Sequence, residues 1–222
     1  NPLAAIRGDA ELADRAPDGT DTSFALGRIG AESQRMSKLV GDLLLLARLD
    51  ADVRVEPRPV DAVEVVLNSV SDAQAASRDH RWQLDLPDAE VTVLADPDQL
   101  HQVVVNLLAN ARTHTPPGTT VRTSVRTEGT SAVIEVADDG PGIDPALAPQ
   151  IFEPFVRLDQ SRDRRTGGTG LGLAIVRSIA RHHGGEVQLL PAETGARFCL
   201  RLPVHLDTNR HQSLTEPQVE QP

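Results

Sequence analysis

The stretch Arg165-Thr-Gly-Gly-Thr-Gly-Leu-Gly-Leu-Ala-Ile-Val176 decides how the rest of the chain is interpreted. Four glycines fall within six positions, and an apolar helical pattern follows them directly. Glycine lets a backbone approach a ligand closely, and the first turn of a helix presents N–H groups and a positive dipole to an anion. The stretch therefore predicts a phosphate-binding turn before a helix, although taken alone it fits a glycine-rich loop without function equally well.

Composition narrows the class of protein. The chain has 222 residues, enough for two modest domains, and its net charge of −10 argues against a general nucleic-acid-binding surface. The one cysteine, Cys199, excludes a disulfide framework and favours a reducing compartment. No apolar run approaches the ~18 residues of a membrane span. Because the chain begins with Asn1-Pro2 rather than Met, we interpret it as a piece of a longer protein.

The first fifty residues predict a helical hairpin. A helical pattern over residues 3–16 ends before the turn Pro17-Asp18-Gly19, and a longer helix is predicted from about Thr22 to Leu49. One hairpin cannot bury an apolar stripe alone, so we expect two copies to pair as a four-helix bundle; packing on its own domain is the alternative. The stripe has coiled-coil spacing and consists of Leu26, Ile29, Met36, Val40, Leu43 and Ala47.

After a polar linker at 51–59, residues 60–203 alternate helical and strand patterns and predict an α/β domain. Residues 204–222 contain too few apolar side chains to pack, which predicts a disordered tail. The predicted helices are Asp61–Ser77, one opened by the cap Asp96-Pro97-Asp98-Gln99, and one after the glycines to about His183. The predicted strands are Arg81–Leu86, Val91–Ala95, Thr120–Thr127, Ala132–Ala137, Glu186–Leu190 and Arg197–Leu202.

Two polar motifs could carry chemistry in this domain. Asn106 and Asn110 lie four positions apart on one helix face, where they form either a solvated surface or a pair of amide oxygens suited to Mg²⁺. The motif Asp138-Asp139-Gly140-Pro141-Gly142 predicts a tight turn whose carboxylate can accept a hydrogen bond from an exocyclic amine. The Arg-rich, apolar-poor sequence between Phe155 and Gly167 predicts a mobile lid.

The order and spacing of five motifs resemble the N, G1, F, G2 and G3 boxes of sensor histidine kinases. The resemblance covers about residues 1–203 and implies an α+β protein: an N-terminal helical hairpin, followed by an α/β sandwich ATP-binding domain of the GHKL (Bergerat) type. The five motifs are Asn106 with Asn110, Asp138–Gly142, Phe152–Phe155, Gly168–Gly172 and Thr194–Phe198.

The resemblance implies a role for each matching residue. Asn110 would be the principal Mg²⁺ ligand with Asn106 in support, Asp138 would accept from the adenine amino group, and the ring of His114 would lie against the base. Gly140 and Gly142 would shape the adenine pocket. The phosphates would meet the backbone of Gly168, Thr169, Gly170, Leu171 and Gly172.

Arginine would supply the cationic contact to phosphate. Arg157 would approach the γ-phosphate, and Arg162 and Arg165 compete for a second such role. The family often has Lys three residues after the metal-binding Asn, where this chain has Thr113; its only lysine is Lys38. Arginine suits phosphate geometry because its guanidinium is a planar fork of donors.

Asn1-Pro2-Leu3 resembles the end of the family's phosphoacceptor motif, whose histidine would precede Asn1. The chain is therefore expected to bind ATP without phosphorylating itself on the usual residue. In the intact protein the phosphoryl group would pass to a histidine and then to an aspartate of a response regulator. Asn1 would lie one turn after that histidine, where the family uses Thr or Asn to orient a water for phosphatase activity.

The resemblance also implies partners and a location. The cofactors would be ATP and Mg²⁺, and the partners a cognate response regulator and a second copy of the chain, with no nucleic acid. The chain would be the cytoplasmic portion of a membrane-anchored protein, reaching the membrane only through segments outside this sequence. The alternatives are a GHKL-type ATPase clamp and a non-catalytic nucleotide-binding interaction module.

Overall fold

The computed structural model of the chain describes residues 2–15, 19–51, 56–156 and 169–205. The chain divides into two compact units, one made of Asn1–Val53 with Ile143–Ser178 and the other of Arg54–Gly142 with Ile179–Pro222. A search of the described residues finds no helix with the length and apolar character needed to cross a membrane.

The helical hairpin belongs to the first unit. Helix α1 (Pro2–Arg15) contacts helix α2 (Gly19–Asp50), and Asp9 of α1 pairs with Arg28 of α2 at 3.3 Å. Helix α2 begins at Gly19 rather than near Thr22, because a nucleated helix gains a hydrogen bond for each residue it adds, even over weak helix formers. The predicted hairpin is thus present, with a longer second helix.

Helix α2 has two apolar faces. Ala25 and Leu46 are buried, whereas Leu26, Val40 and Leu43 of the predicted stripe are 59%, 51% and 39% exposed. Ala47 is also exposed, whereas Ile29 and Met36 are half-buried, so most of the stripe is exposed in a single chain, beside the face that the chain buries itself.

The second unit contains a mixed sheet of five strands. After α2, the elements of the chain are β1 (Arg58–Asp61), α3 (Ala62–Ala76), β2 (Arg81–Asp85), β3 (Thr92–Ala95), α4 (Pro97–His114), β4 (Thr120–Glu128), β5 (Ser131–Asp138), α5 (Gly172–His182), β6 (Glu186–Leu190) and β7 (Arg197–Pro203). The strand order in the five-stranded sheet is β2-β4-β5-β7-β6, and β1 and β3 form a separate pair. Strands β2 and β4 are parallel, and the other neighbours in the large sheet are antiparallel.

Helices α3 and α4 contact each other and the sheet, α3 on β2 and β4 and α4 on β5. Burial alternates along β4, as the period of two along a strand requires when one face is covered, whereas β5 buries three consecutive residues, Ala132, Val133 and Ile134. The core accordingly consists of aliphatic residues, among them Val66, Leu107, Ile134 and Leu200. The predicted α+β fold, with a helical hairpin and an α/β sandwich, is confirmed.

The structure corrects several predicted boundaries. Arg58 and Pro59, assigned to the linker, form β1 and pair with Ala95 and Leu94. Val204, assigned to the tail, donates its N–H to Thr130 O at 2.9 Å, and His205 likewise donates to Thr92 O at 2.8 Å. Backbone pairing caused both differences, because it needs no apolar side chain and leaves no pattern in the sequence.

Helices α3 and α4 each begin directly after an aspartate whose side chain caps the first helical turn. The Asp61 side chain accepts from Val63 N at 3.0 Å and caps α3, so this helix begins one residue later than predicted. Asp96 Oδ1 accepts from Asp98 N at 2.8 Å and Gln99 N at 2.9 Å, and Pro97 occupies the first helical turn of α4. The predicted cap therefore opens the helix that carries the two asparagines.

Candidate functional site

The turn after β5 is held together by one carboxylate oxygen. Asp138 Oδ1 accepts N–H bonds from Gly140 at 3.0 Å and from Ala196 at 3.2 Å, and the Asp138 N–H donates to Ala196 O at 2.9 Å. Within the described part of the chain, Asp138 Oδ2 has no hydrogen-bond donor. One oxygen therefore fixes the turn and the other is left to accept from a ligand.

The electrostatics of Asp138 reflect this partial burial. Burial raises the pKa of its carboxyl above the ordinary value, and the N–H bonds from Gly140 and Ala196 oppose that shift. The neighbouring charge of Asp139 raises the pKa further, whereas His80 lowers it.

Two glycines let the backbone close around Asp138. A Cβ on Gly195 would overlap the carbonyl oxygen of Asp138 and lie 2.8 Å from its Oδ1. A Cβ on Gly142 would lie 2.9 Å from Gly195 O, and both glycines have positive φ. The turn and the Thr194–Phe198 motif, which are far apart in sequence, are thus brought into contact in a way that only glycine permits.

Helix α4 presents both asparagines in the second unit. Asn106 is 8% exposed, and its Oδ1 accepts from Gln102 Nε2 at 3.0 Å. Asn110, one turn later, is half-buried, and no side chain of the described residues hydrogen-bonds its amide. Because amide oxygens suit Mg²⁺ and no described residue uses the Asn110 oxygen, Asn110 fits a metal ligand better than Asn106 does.

The end of α4 places the remaining candidates. Thr113 is half-buried, and His114, the last residue of the helix, is exposed. Thr115 follows as the C-cap and contacts Gly140, because a Cβ there would lie 2.6 Å from Thr115 Cγ2. Sequence reasoning gave Thr115 no role, since its contact with the turn is made only by the tertiary fold.

The glycine-rich turn lies in the first unit. Gly170 has a φ of +72°, and its carbonyl oxygen accepts from Phe155 N at 2.9 Å. A Cβ on Gly170 would lie 3.0 Å from Phe155 Cα, so the two segments approach as closely as glycine allows. Leu171 N donates to Thr169 Oγ1 at 3.3 Å, and α5 begins at Gly172. The turn thus leads directly into a helix N-terminus, the arrangement that binds anions.

Other predicted site residues lie outside the described part of the chain, namely Asn1, Arg157, Arg162, Arg165 and Gly168. The described residues contain no group of three or more His, Cys, Asp or Glu side chains that could hold a metal. Asn106 and Asn110 offer amide oxygens, ligands that favour a hard ion such as Mg²⁺ over a transition metal.

Comparison with known families divides the chain in the same order as its motifs. Residues 1–52 match the family described as His Kinase A (phospho-acceptor) domain. Residues 95–206 match the family described as Histidine kinase-, DNA gyrase B-, and HSP90-like ATPase. The second match includes the α4 asparagines, the Asp138 turn and the glycine-rich turn.

Individual relatives agree with these matches. The chain is 48% identical over 204 residues to the probable sensor histidine kinase TcrY of Mycobacterium tuberculosis, covering 91% of this chain and 43% of TcrY. The mycobacterial sensor histidine kinase MprB structure matches at 30% identity and a TM-score of 0.59, covering 67% of this chain and 98% of that one. The crystal structure of full-length ShkA in complex with AMPPNP matches at 26% identity and a TM-score of 0.71, covering 91% of this chain and 42% of that one.

The chain spans less than half the length of TcrY. Two family matches, close sequence identity, the predicted order of motifs and the sandwich fold all agree. The chain belongs to the sensor histidine kinases.

Proposed function

We propose that this chain binds Mg-ATP and is the kinase portion of a two-component sensor. In the whole protein, the γ-phosphoryl group of ATP passes to a histidine and then to an aspartate of a response regulator. The observation that carries the proposal is that the two carboxylate oxygens of Asp138 differ in their contacts. Oδ1 accepts the hydrogen bonds that fix the turn, and Oδ2 is left to accept from the adenine amino group. The ShkA structure, a complex with AMPPNP, supports a nucleotide of this class.

The roles of the other residues follow the family resemblance. Asn110, supported by Asn106, would hold Mg²⁺, which supplies charge neutralisation at the phosphates when bound. His114 would face the base, and Gly140 and Gly142 would shape its pocket. Backbone N–H groups of residues 168–172 would contact the phosphates, and Arg157 would contact the γ-phosphate.

Transfer of the γ-phosphoryl group requires these residues to position the nucleotide and to stabilise the negative charge of its phosphates. The bond between the γ-phosphorus and the bridging oxygen breaks, ADP leaves with the electron pair, and a phosphorus–nitrogen bond forms to the histidine imidazole. No covalent bond to residues 1–222 is needed, so a positioned nucleotide and fixed donors suffice. In the phosphatase reaction, Asn1 would orient the water that hydrolyses the aspartyl phosphate of the response regulator.

The domain assignment is part of the proposal. Residues 1–50 would form the dimerisation hairpin and 51–57 the linker. The catalytic domain would take in β1 and the paired residues Val204 and His205, so that it runs from 58 to 205 and the tail from 206 to 222. The exposed stripe of α2 supports a homodimer, because a second hairpin would cover its apolar side chains. ATP and a response regulator as partners support a location on the cytoplasmic side, and we propose that the whole protein is anchored in the membrane through segments outside this sequence.

Calorimetric titration with Mg-ATP tests the nucleotide assignment. The wild-type chain should bind, and Asp138→Asn should lower the affinity at least tenfold, because the amide replaces the needed acceptor and disturbs the turn. Asp144→Asn provides a control with the same change of charge, since Asp144 is exposed and, among the described residues, its carboxylate accepts from Ala146 N at 2.9 Å. Equal affinity for the wild type and Asp138→Asn would refute the assignment.

A further inference from the structure

His80 is a buried histidine directly before β2, only 9% exposed. Its Nε2 lies 3.0 Å from Thr115 Oγ1, whereas its Nδ1 is 3.5 Å from Ser77 Oγ, which is too long for a strong hydrogen bond. The Trp82 ring lies beside it with centroids 5.9 Å apart, and Trp82 Nε1 donates to Ser77 O at 3.2 Å. His80 is therefore enclosed, and its short polar contact is to Thr115.

The hydroxyl of Thr115 fixes the direction of that contact. Thr115 Oγ1 donates its one hydrogen to Ala111 O at 2.8 Å, so it can only accept from His80. The hydrogen between the two residues consequently belongs to His80 Nε2. Together with the bond to Ala111 O, this bond holds the Thr115 side chain in one rotamer at the end of α4.

The held rotamer places the Thr115 methyl group against the Asp138 turn. A Cβ on Gly140 would lie 2.6 Å from Thr115 Cγ2 and 2.9 Å from Asp138 Oδ1. Thr115 and Asp138 therefore bound the same small space beside the Gly140 α-carbon. Gly140 also donates to Asp138 Oδ1, so a shift of Thr115 would move a donor of the carboxylate.

Hydrogen bonds of the backbone also join the neighbours of His80, the α4–β4 connection and the Asp138 turn. Asp79 O accepts from Gly118 N at 2.6 Å, and Arg81 N donates to Thr119 O at 2.9 Å. Thr120 N in turn donates to Asp139 Oδ1 at 2.7 Å. The residues on both sides of His80 are thus tied to the α4–β4 connection, and that connection is tied to the turn.

We propose that His80 is a positioning residue for Asp138. Acting through Thr115, His80 orients the Asp138 carboxylate. In that orientation the carboxylate favours a purine with a 6-amino group over one without it. The inference rests on the proposed function, because it requires Asp138 to meet adenine. His80 itself need not touch the nucleotide.

The test compares affinities for ATP and for purine riboside triphosphate, which lacks the 6-amino group, by calorimetry on the 222-residue chain with Mg²⁺. The wild type should prefer ATP at least tenfold. His80→Leu and Thr115→Val should each reduce that preference by about fivefold to tenfold, the value of one hydrogen bond. The double variant should lose no more than either single variant, because both changes remove the same contact.

Two further variants separate positioning from general stability. His80→Gln, whose amide N–H can occupy the Nε2 position, should keep the preference within about twofold, whereas His80→Asn should not. His101→Gln is the matched control, since His101 Nδ1 contacts Ser69 Oγ at 2.9 Å between α3 and α4, away from the Asp138 turn. It should leave the preference unchanged even where it lowers thermal stability.

The possible failures are distinguishable. Folded His80→Leu and Thr115→Val chains that keep the full preference for ATP would overturn the role of His80 and leave the proposed function standing. An equal loss in His101→Gln would also overturn it, because the effect would then be general loosening. A wild-type chain that does not bind ATP would refute the proposed function and this inference together.

Discussion

Gly195→Ala should damage the Asp138 turn from the opposite side. Gly195 has a φ of +70°, and its new Cβ would overlap the Asp138 carbonyl oxygen. Because that oxygen belongs to the backbone at the end of β5, no side-chain rotation can relieve the clash. The segments carrying Asp138 and Ala196 therefore have to separate.

The expected loss can be worked from the contacts. Alanine at positive φ costs about 1 kcal/mol. Separation breaks the bonds between Ala196 N and Asp138 Oδ1 and between Asp138 N and Ala196 O, each worth about 1 kcal/mol. The free energy of unfolding should fall by about 3 kcal/mol, and ATP affinity should fall with it.

Urea unfolding and Mg-ATP titration measure the two effects. Gly129→Ala is the matched control, because Gly129 has a φ of +60° and an added Cβ would meet no atom within 4 Å. Its cost should be the backbone contribution alone, about 1 kcal/mol, with no change in nucleotide affinity. If Gly195→Ala is no more destabilising than Gly129→Ala, the close contact does not hold the turn.

Three other predictions concern the metal, the core and the pH dependence. Asn110→Ala should abolish the gain in ATP affinity that Mg²⁺ provides, measured by titration with and without the metal; an undiminished gain would refute its role as a ligand. Thr123→Val should leave the free energy of unfolding unchanged or raise it by up to about 1 kcal/mol, because the buried Thr123 hydroxyl has no partner among the described residues; a clear loss would contradict this. Burial lowers the pKa of His183, whose Nε2 accepts from Asp96 N at 3.0 Å. Because the unfolded chain then binds a proton at this residue more strongly than the folded chain does, the free energy of unfolding should decline as the pH falls below about 6.5. Thermal melts from neutral to acidic pH should show a smaller decline in His183→Gln, and parallel curves would exclude His183 as the cause.

Local signals in the sequence were strong enough to predict most elements of the second unit. Asp96-Pro97 fixed the start of α4, because a capping side chain and a proline act within a few residues of each other. Strand β1 escaped prediction because Arg58 and Pro59 pair by backbone with β3, and their side chains carry no apolar alternation. The apolar stripe of α2 was visible in the sequence, but which face a single chain buries depends on its packing.

The sequence by itself determined the family, the order of its motifs and the residue types that meet the nucleotide in our proposal. Those features depend on spacing along the chain, such as the four positions between Asn106 and Asn110 or the glycines before α5. Only the tertiary structure decided which oxygen of Asp138 is occupied, why Gly195 has to be glycine, and that His80 reaches the turn through Thr115. The reason is physical: these contacts join residues 35 to 58 positions apart, and no local propensity records them.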